Sequence, residues 1–309
     1  MLIKNSNALQ EALERQDLAF IDEGLSPIKR TINHTQEYSA PLMISAHKLK
    51  HLNKISELQT DAIILNLEDG VSTQMKPYAL RFSMYALNAL TECDKKIIVR
   101  INALDEGGIE EIIALNGYRP DAIRIPKIKT VADVKQALLL CDEEIELHLS
   151  IETKEAWLNL TQLRVSKRVK AFYLGVLDLF ADMELSQELI KVDNPLMTQL
   201  LAQFLLNTKA VGAKAISFVY QEYQDTIGFE SWLNLEKELG FDAKGCLSPQ
   251  QAEQTVKMFQ LSDDAIIKAQ YIIDRFEEER AKGITGFSDE KYGFIDEPIY
   301  KGALALLKR

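Results

Sequence analysis

Six charged side chains stand at or just beyond the ends of short apolar runs in this sequence: Glu68, Asp69, Arg100, Lys127, Glu152 and Asp178. Glu152 and Asp178 are 26 residues apart and have no His or Cys beside them. Such a pair suits a hard cation, because Mg2+ is held by one or two carboxylates and leaves its other positions to water and substrate oxygens. Zinc and softer metals would call for imidazole or thiolate ligands. Arg100 can clamp a carboxylate through two parallel hydrogen bonds, a geometry Lys cannot offer. Asp69 and Lys127 join it as substrate-binding candidates. Each residue also has an ordinary reading: Glu68–Asp69–Gly70 as a turn, Glu152 and Asp178 as helix caps, Lys127 as a solvated residue after Pro126. The recurrence of charge at five successive run ends is what favours chemistry.

Something must bring those ends together. Apolar runs recur at residues 42–45, 62–67, 97–101, 122–125, 146–151, 171–174, 215–219 and 243–247, alternating with helix-like segments such as 131–140 and 195–211. Alternation of this kind implies parallel β/α units, and eight of them imply a closed TIM (β/α)8 barrel over residues 41–260, with the charged ends on one rim. Residues 1–40 read as an N-terminal extension, with an amphipathic stretch at 8–20 and a break at Ser26–Pro27. Residues 261–309 read as a C-terminal helical arm. Ser262 is placed to cap a helix with Asp263 and Asp264 in its first turn, and Ile266, Ala269, Ile273 and Phe276 recur at helical spacing up to Lys282–Gly283. A loop or hairpin at 284–295 then leads to a last helix opened by Pro298. The arm's apolar stripe needs a surface, expected on a neighbouring subunit of a homo-oligomer.

Composition narrows the classes further. At 47% hydrophobic and 27% charged, the 309 residues describe a packed globule rather than a disordered or low-complexity chain. With 36 Lys and Arg against 46 Asp and Glu, the net charge is −10, and no dense basic block offers a nucleic-acid surface. Cys93, Cys141 and Cys246 are odd in number and far apart, which points to free thiols in a reducing, cytoplasmic setting. Charged residues interrupt residues 1–20, so no signal-peptide core is read there, and no run approaches the ~18 apolar residues of a membrane span. Trp157 and Trp232 read as packing residues, Glu277–Arg280 as a solvated helix face, and His148 as a core or lumen residue.

The ordered set of motifs resembles the citrate lyase β-subunit-like group of the HpcH/HpaI aldolase superfamily. The set runs AIILNLEDGV at 62–71, VRIN at 99–102, IPK at 125–127, SIET at 150–153, GVLDLFAD at 175–182, GFDAKGCLSPQQ at 240–251 and YGFIDEP at 292–298. The resemblance implies a β/α barrel that cleaves or forms carbon–carbon bonds next to a carbonyl, using Mg2+ (or Mn2+), on a 2-oxo acid or an acyl-CoA such as citryl-, malyl- or citramalyl-CoA. It implies Glu152 and Asp178 as metal ligands and Arg100 as the group that binds substrate oxygen and stabilises the enolate. Glu68 would support the metal's water shell or orient Arg100. Asp296 matches a tail aspartate that serves as acid/base in a neighbouring subunit's site, within a trimer or larger assembly.

The chain departs from that pattern at several positions. Asn66 stands where Asp is usual, Ser45–Ala46 where Pro-Gly is usual, Ala156 and Glu184 where glycines follow the ligand strands, Leu177 where an acidic residue is common, and Ser248 where His is frequent. Lost glycines narrow where backbone can approach a ligand, and the first-strand changes bear on the acyl-CoA end. Two other functions remain open to this sequence. One is a CoA-independent class II aldolase on 2-oxo acids, which would carry a His soon after the second strand, where Gly70–Val71 stand here. The other is a non-catalytic metabolite-binding paralogue.

Overall fold

The computed structural model describes residues 2–28, 30–34 and 37–307; residues 1, 29, 35 and 36 of the expected extension, and 308 and 309 of the expected arm, lie outside them. Seven parallel strands form one sheet in sequence order: β1 (Pro41–Ser45), β2 (Ala62–Asn66), β3 (Lys96–Arg100), β4 (Ala122–Ile125), β5 (Glu146–Ile151), β6 (Val169–Leu174) and β7 (Lys214–Ile216). Their β-branched runs suit a sheet covered on both faces, and Ile63, Ile64, Ile97, Ile98 and Val99 are all at most 1% exposed. Burying each such side chain contributes about 1.5–3 kcal/mol before chain entropy is set against it. After β1 come α3 (Leu49–Leu52), after β2 α4 (Lys76–Ala89), and after β3 α5 (Gly108–Asn116). The series continues with α6 (Val131–Leu140), α7 (Lys154–Asn159), α8 (Val176–Asp182), α9 (Pro195–Ala210), α10 (Thr226–Leu239) and α11 (Pro249–Phe259). Before the sheet lie α1 (Ser6–Glu14) and α2 (Leu18–Glu23).

The sheet is curled but open, so the closed eight-stranded TIM barrel expected from the sequence is corrected: seven strands pair and the two edges stay 9 Å apart. The eighth apolar run, residues 243–247, makes only isolated bridges, Leu42 with Cys246 and Ser217 with Lys244. Its backbone does bond to both edges, Ala243 and Gly245 with Ser217, and Cys246 with Pro41 and Met43, but over too few residues to build a continuous ladder. Lys244 Nζ is drawn into a fully buried pair with Glu236 Oε1 at 2.6 Å and also donates to the Phe218 carbonyl at 2.8 Å. Gly245 sits against Val219, where a Cβ would meet Cγ1 at 2.8 Å, and glycine weakens a strand. Facing it, β7 keeps only three residues of regular ladder, against the five expected.

Strand periodicity sorts side chains to two faces. Register aligns Asn66 with Arg100 and Arg100 with Arg124, and aligns Arg124 with His148. Ala62, Ile64, Ile98, Ala122, Ala171, Tyr173, Ile216 and Ala243 share that face and pack with Tyr38 in one cluster. Residues from strands this far apart in the sheet can meet only across its concave side. Lys96 Nζ and Lys214 Nζ lie 5.9 and 5.5 Å from the Tyr38 ring centre, reaching it from β3 and β7. The concave face therefore carries both a small-residue core and the buried side chains of Lys96, Arg100, Arg124, Glu146 and His148.

The chain divides into two compact units, Met1–Met258 and Phe259–Arg309. In the first, the N-terminal segment is tied to the sheet by a buried fork: Arg30 Nη1 and Nη2 each donate to Asp121 at 2.8 Å, and Arg30 also donates to the carbonyls of Leu90 and Arg119. Arg81 on α4 holds Asp22 on α2 in the same bidentate way, at 2.5 and 2.8 Å. The second unit contains α12 (Asp263–Ala281), a hairpin of β8 (Gly286–Asp289) and β9 (Gly293–Asp296), and α13 (Glu297–Leu307). Its core is built from Ala269, Ile272, Ile273, Phe276, Ile295 and Ala303, with Tyr300 stacked on Phe276 at 4.5 Å. Ser262 Oγ caps α12 by accepting the Ala265 N–H at 3.2 Å.

Candidate active site

The sheet delivers its charged groups to the carboxyl ends of β2 through β5, and Asp178 follows β6 in the first turn of α8. Leu67 continues β2 by donating to the Arg100 carbonyl, which sets Glu68 at the rim. Glu68 is 1% exposed, and its Oε2 accepts from the Asp69 N–H at 2.5 Å and pairs with Arg100 Nη2 at 2.7 Å. Burial pushes the Glu68 carboxyl above its ordinary pKa, against the opposing pull of Arg100. Arg100 Nη2 also lies 3.6 Å from Asp69 Oδ2 and 3.9 Å from Glu152 Oε2. One guanidinium thus faces three carboxylates, and the Arg100 Nε is buried without a hydrogen bond among the described residues.

Lys127 joins the cluster by an unusual backbone. Its φ of 51° is in the left-handed region, which a long side chain enters only at some cost. That turn aims the Lys127 N–H at Glu152 Oε1, 2.7 Å away, and leaves Nζ 3.3 Å from Glu68 Oε1. Although close, this Nζ contact lacks hydrogen-bond geometry, so Glu68 Oε1 is buried without a hydrogen bond. Glu152, 2% exposed, owes its place to Gly175: a Cβ there would stand 2.5 Å from Glu152 Cβ and 2.6 Å from Oε2. Asp178 is not at a strand end but in the first turn of α8, where a carboxylate also favours the helix dipole. It opens to solvent, yet the desolvation it does suffer, and then the charges of Glu152 and Asp69, raise its pKa.

Two cavities meet at these carboxylates. One of about 280 Å³ opens over the sheet ends and is lined by Arg100, Arg124 and Tyr173. The other, about 630 Å³, runs between the loops after β3, β4 and β5 and includes Lys127, Lys129 and Asp105. Glu152 and Asp178 are the two residues that line both. Two mutually repelling carboxylates on a shared wall, with oxygen donors and no thiolate or imidazole, fit a hard cation that completes its shell with water and substrate. Among the described residues no group of three or more His, Cys, Asp or Glu is arranged to hold a metal, so a fully protein-coordinated site is absent there.

Below the rim lies a polar layer only partly visible in the sequence. His148 is fully buried, with Nδ1 3.4 Å from the Tyr173 hydroxyl and Nε2 3.6 Å from Glu146 Oε2. Lys96 Nζ pairs with the same Glu146 oxygen at 2.8 Å. Burial works against the Glu146 charge, but His148 and Lys96 outweigh it and hold its pKa at about 2. Arg124, between this layer and Arg100, was not among the candidate residues. Its signal is a charged residue inside the run AIRI, which gains meaning only from its register beside Arg100.

In the C-terminal unit, Asp296 ends β9 and its Oδ1 accepts the Ile299 N–H at 3.1 Å, capping α13.

Comparison with known proteins gives a consistent answer. The family model described as HpcH/HpaI aldolase/citrate lyase matches residues 42–249. A (3S)-malyl-CoA thioesterase of Cereibacter sphaeroides is 29% identical over 247 residues, 80% of this chain and 85% of that protein. The citrate lyase subunit beta of Leuconostoc mesenteroides is 28% identical over 265 residues, again 80% and 85%. Among solved structures, protein CitE from Mycobacterium tuberculosis, in complex with magnesium, acetoacetate and coenzyme A, superposes with a TM-score of 0.68 at 21% identity over 88% of this chain and 98% of its own. A citrate lyase from Burkholderia xenovorans gives 0.72 at 17% identity over 94% and 93%. At these identities the structures establish a shared fold.

Proposed function

Because the chain belongs to the HpcH/HpaI aldolase/citrate lyase family, we propose that it is a Mg2+-dependent carbon–carbon lyase. Its substrate would be a β-hydroxyacyl-CoA of the citryl-, malyl- or citramalyl-CoA kind, split into an acyl-CoA and an oxo acid. The observation that carries the reading is the Glu152–Asp178 wall between two cavities, with Arg100 beside it.

Glu152 and Asp178 would hold the cation, Glu152 being kept in place by the Lys127 N–H. When bound, Mg2+ supplies Lewis-acid polarisation of the oxo-acid oxygen and a template for the substrate. In cleavage the hydroxyl proton would pass to Asp296 or a bound water as the carbon–carbon bond breaks, leaving its electron pair on the thioester fragment as an enolate. Arg100 would meet developing negative charge in a site where Glu68 already fixes the guanidinium, so little reorganisation is needed. Asp69 and Lys127, at the more open edge, would bind substrate. Asp296 would move the proton that converts enolate to methyl or methylene, acting from a neighbouring subunit. This makes the C-terminal arm an intersubunit element and the protein a trimer or larger assembly; an active monomer in sedimentation would overturn that part. Mn2+, also content with oxygen ligands, would substitute for Mg2+. Among the described residues no helix is long and apolar enough to cross a membrane, and the free cysteines suit a reducing cytoplasm.

Calorimetric titration tests the metal assignment. Mg2+ should bind the wild-type protein and should fail to bind Glu152→Ala at the same concentrations. Unchanged metal content and oxo-acid affinity in the variant would remove the lyase reading.

A further inference from the structure

The concave face holds a second guanidinium that the reaction just described does not use. Arg124 on β4 is 6% exposed and lines the cavity of about 280 Å³ beside Arg100. Two supports fix it. Its Nε donates to Ser150 Oγ at 2.9 Å, and its guanidinium carbon lies 4.1 Å from the centre of the Tyr173 ring. Neither terminal nitrogen makes a hydrogen bond or an ion pair among the described residues, whereas Arg100 is surrounded by Glu68, Asp69 and Glu152.

The residue is nine-tenths buried, yet its terminal nitrogens are not among the buried unpaired atoms and so open into the cavity, where they can donate to a group that enters it. Burial, and then the neighbouring Arg100, lower its pKa to about 10, so it keeps its charge at neutral pH. Ser150 and Tyr173 orient its stem and plane in the cavity wall. The fork of two donors matches a carboxylate, which a cavity of this size has room to admit. The cation wall and Arg100 serve the oxo end of a substrate, so a group reaching Arg124 is a different one on the same molecule.

We infer that Arg124 is a specificity-determining residue which binds a second carboxylate, so that the oxo-acid partner is a dicarboxylate rather than a simple 2-oxo monocarboxylate. This rests on the lyase reading of the site. It also accounts for a charge in the middle of an otherwise apolar strand, since a bare structural role would be served by an uncharged residue against Tyr173.

The test compares two probes that differ by a methyl against a carboxylate: 2-oxobutyrate and oxaloacetate, titrated calorimetrically at saturating Mg2+. Wild-type protein should favour oxaloacetate by at least about tenfold, the discrimination expected of one charge-assisted bidentate contact. Arg124→Met, similar in length and uncharged, should bring the ratio of the two affinities near one; Arg124→Lys, keeping charge without the fork, should fall between. Circular-dichroism melts check that each variant folds, and the wild-type ratio is informative even if one does not. Equal wild-type affinities, or a preference that survives in Arg124→Met, would overturn the assignment while leaving the lyase reading intact. If neither acid bound in the presence of Mg2+, both would fall together.

Discussion

Gly175→Ala is a one-carbon change that should disarm the site. The new Cβ would stand 2.5 Å from Glu152 Cβ and 2.6 Å from Glu152 Oε2, where ordinary contacts begin near 3.4 Å. Relief therefore requires a shift of roughly 1 Å, taken by Glu152, by the start of α8, or by both. Neither is harmless. Moving Glu152 breaks its 2.7 Å bond from the Lys127 N–H, and moving α8 carries Asp178 with it. A misplacement of this size costs about 100-fold when it falls on groups that position a reaction, whereas the overpacking itself should cost about 1–3 kcal/mol of stability. The assay is paired: Mg2+ affinity by calorimetry and turnover of an acyl-CoA substrate, alongside a urea melt. We expect Mg2+ binding and turnover to fall by about two orders of magnitude in a protein that still folds. Mg2+ affinity within twofold of wild type in a folded variant would refute the idea that Glu152 and Asp178 hold the cation.

Arg30→Ala leaves Asp121 charged and buried, and should lower unfolding free energy by about 3–5 kcal/mol in denaturant titration. Glu146, with a folded pKa of about 2 against an ordinary 4.5, stabilises the fold at neutral pH. That contribution is lost as pH falls from about 4.5 towards 2, so the acid-unfolding curve of Glu146→Gln should be flatter in this window. Asp296→Asn keeps a good cap for α13 but cannot carry a proton, so kcat should drop with melting temperature unchanged. A drop in both would show that capping is its main role.

How much of this could be read beforehand depends on whether a signal is local. The apolar runs of β1 to β7 are local, and so are the charges just past them; Glu68, Arg100, Lys127 and Glu152 do gather around one cluster of contacts. The eighth run looked like the others because composition does not show how few residues of it, and of the three-residue β7 beside it, stay in register. The left-handed turn at Lys127 is equally invisible, since nothing in IPK marks it. Arg124 was hidden for the opposite reason: an arginine within an apolar run reads as an imperfection until register sets it beside Arg100 and a ring from β6 lies against it.

Breaking a carbon–carbon bond leaves products that hydrolysis of the thioester cannot. The most direct measurement follows the products formed from citryl-, malyl- and citramalyl-CoA by mass spectrometry, with Mg2+ and with chelator. Acetyl-CoA together with a 2-oxo acid is expected, formed only with Mg2+, with citryl-CoA the preferred substrate because its oxo-acid half carries a second carboxylate. Release of free coenzyme A with the hydroxy acid intact, or no Mg2+-dependent turnover of any of the three, would contradict the lyase reading.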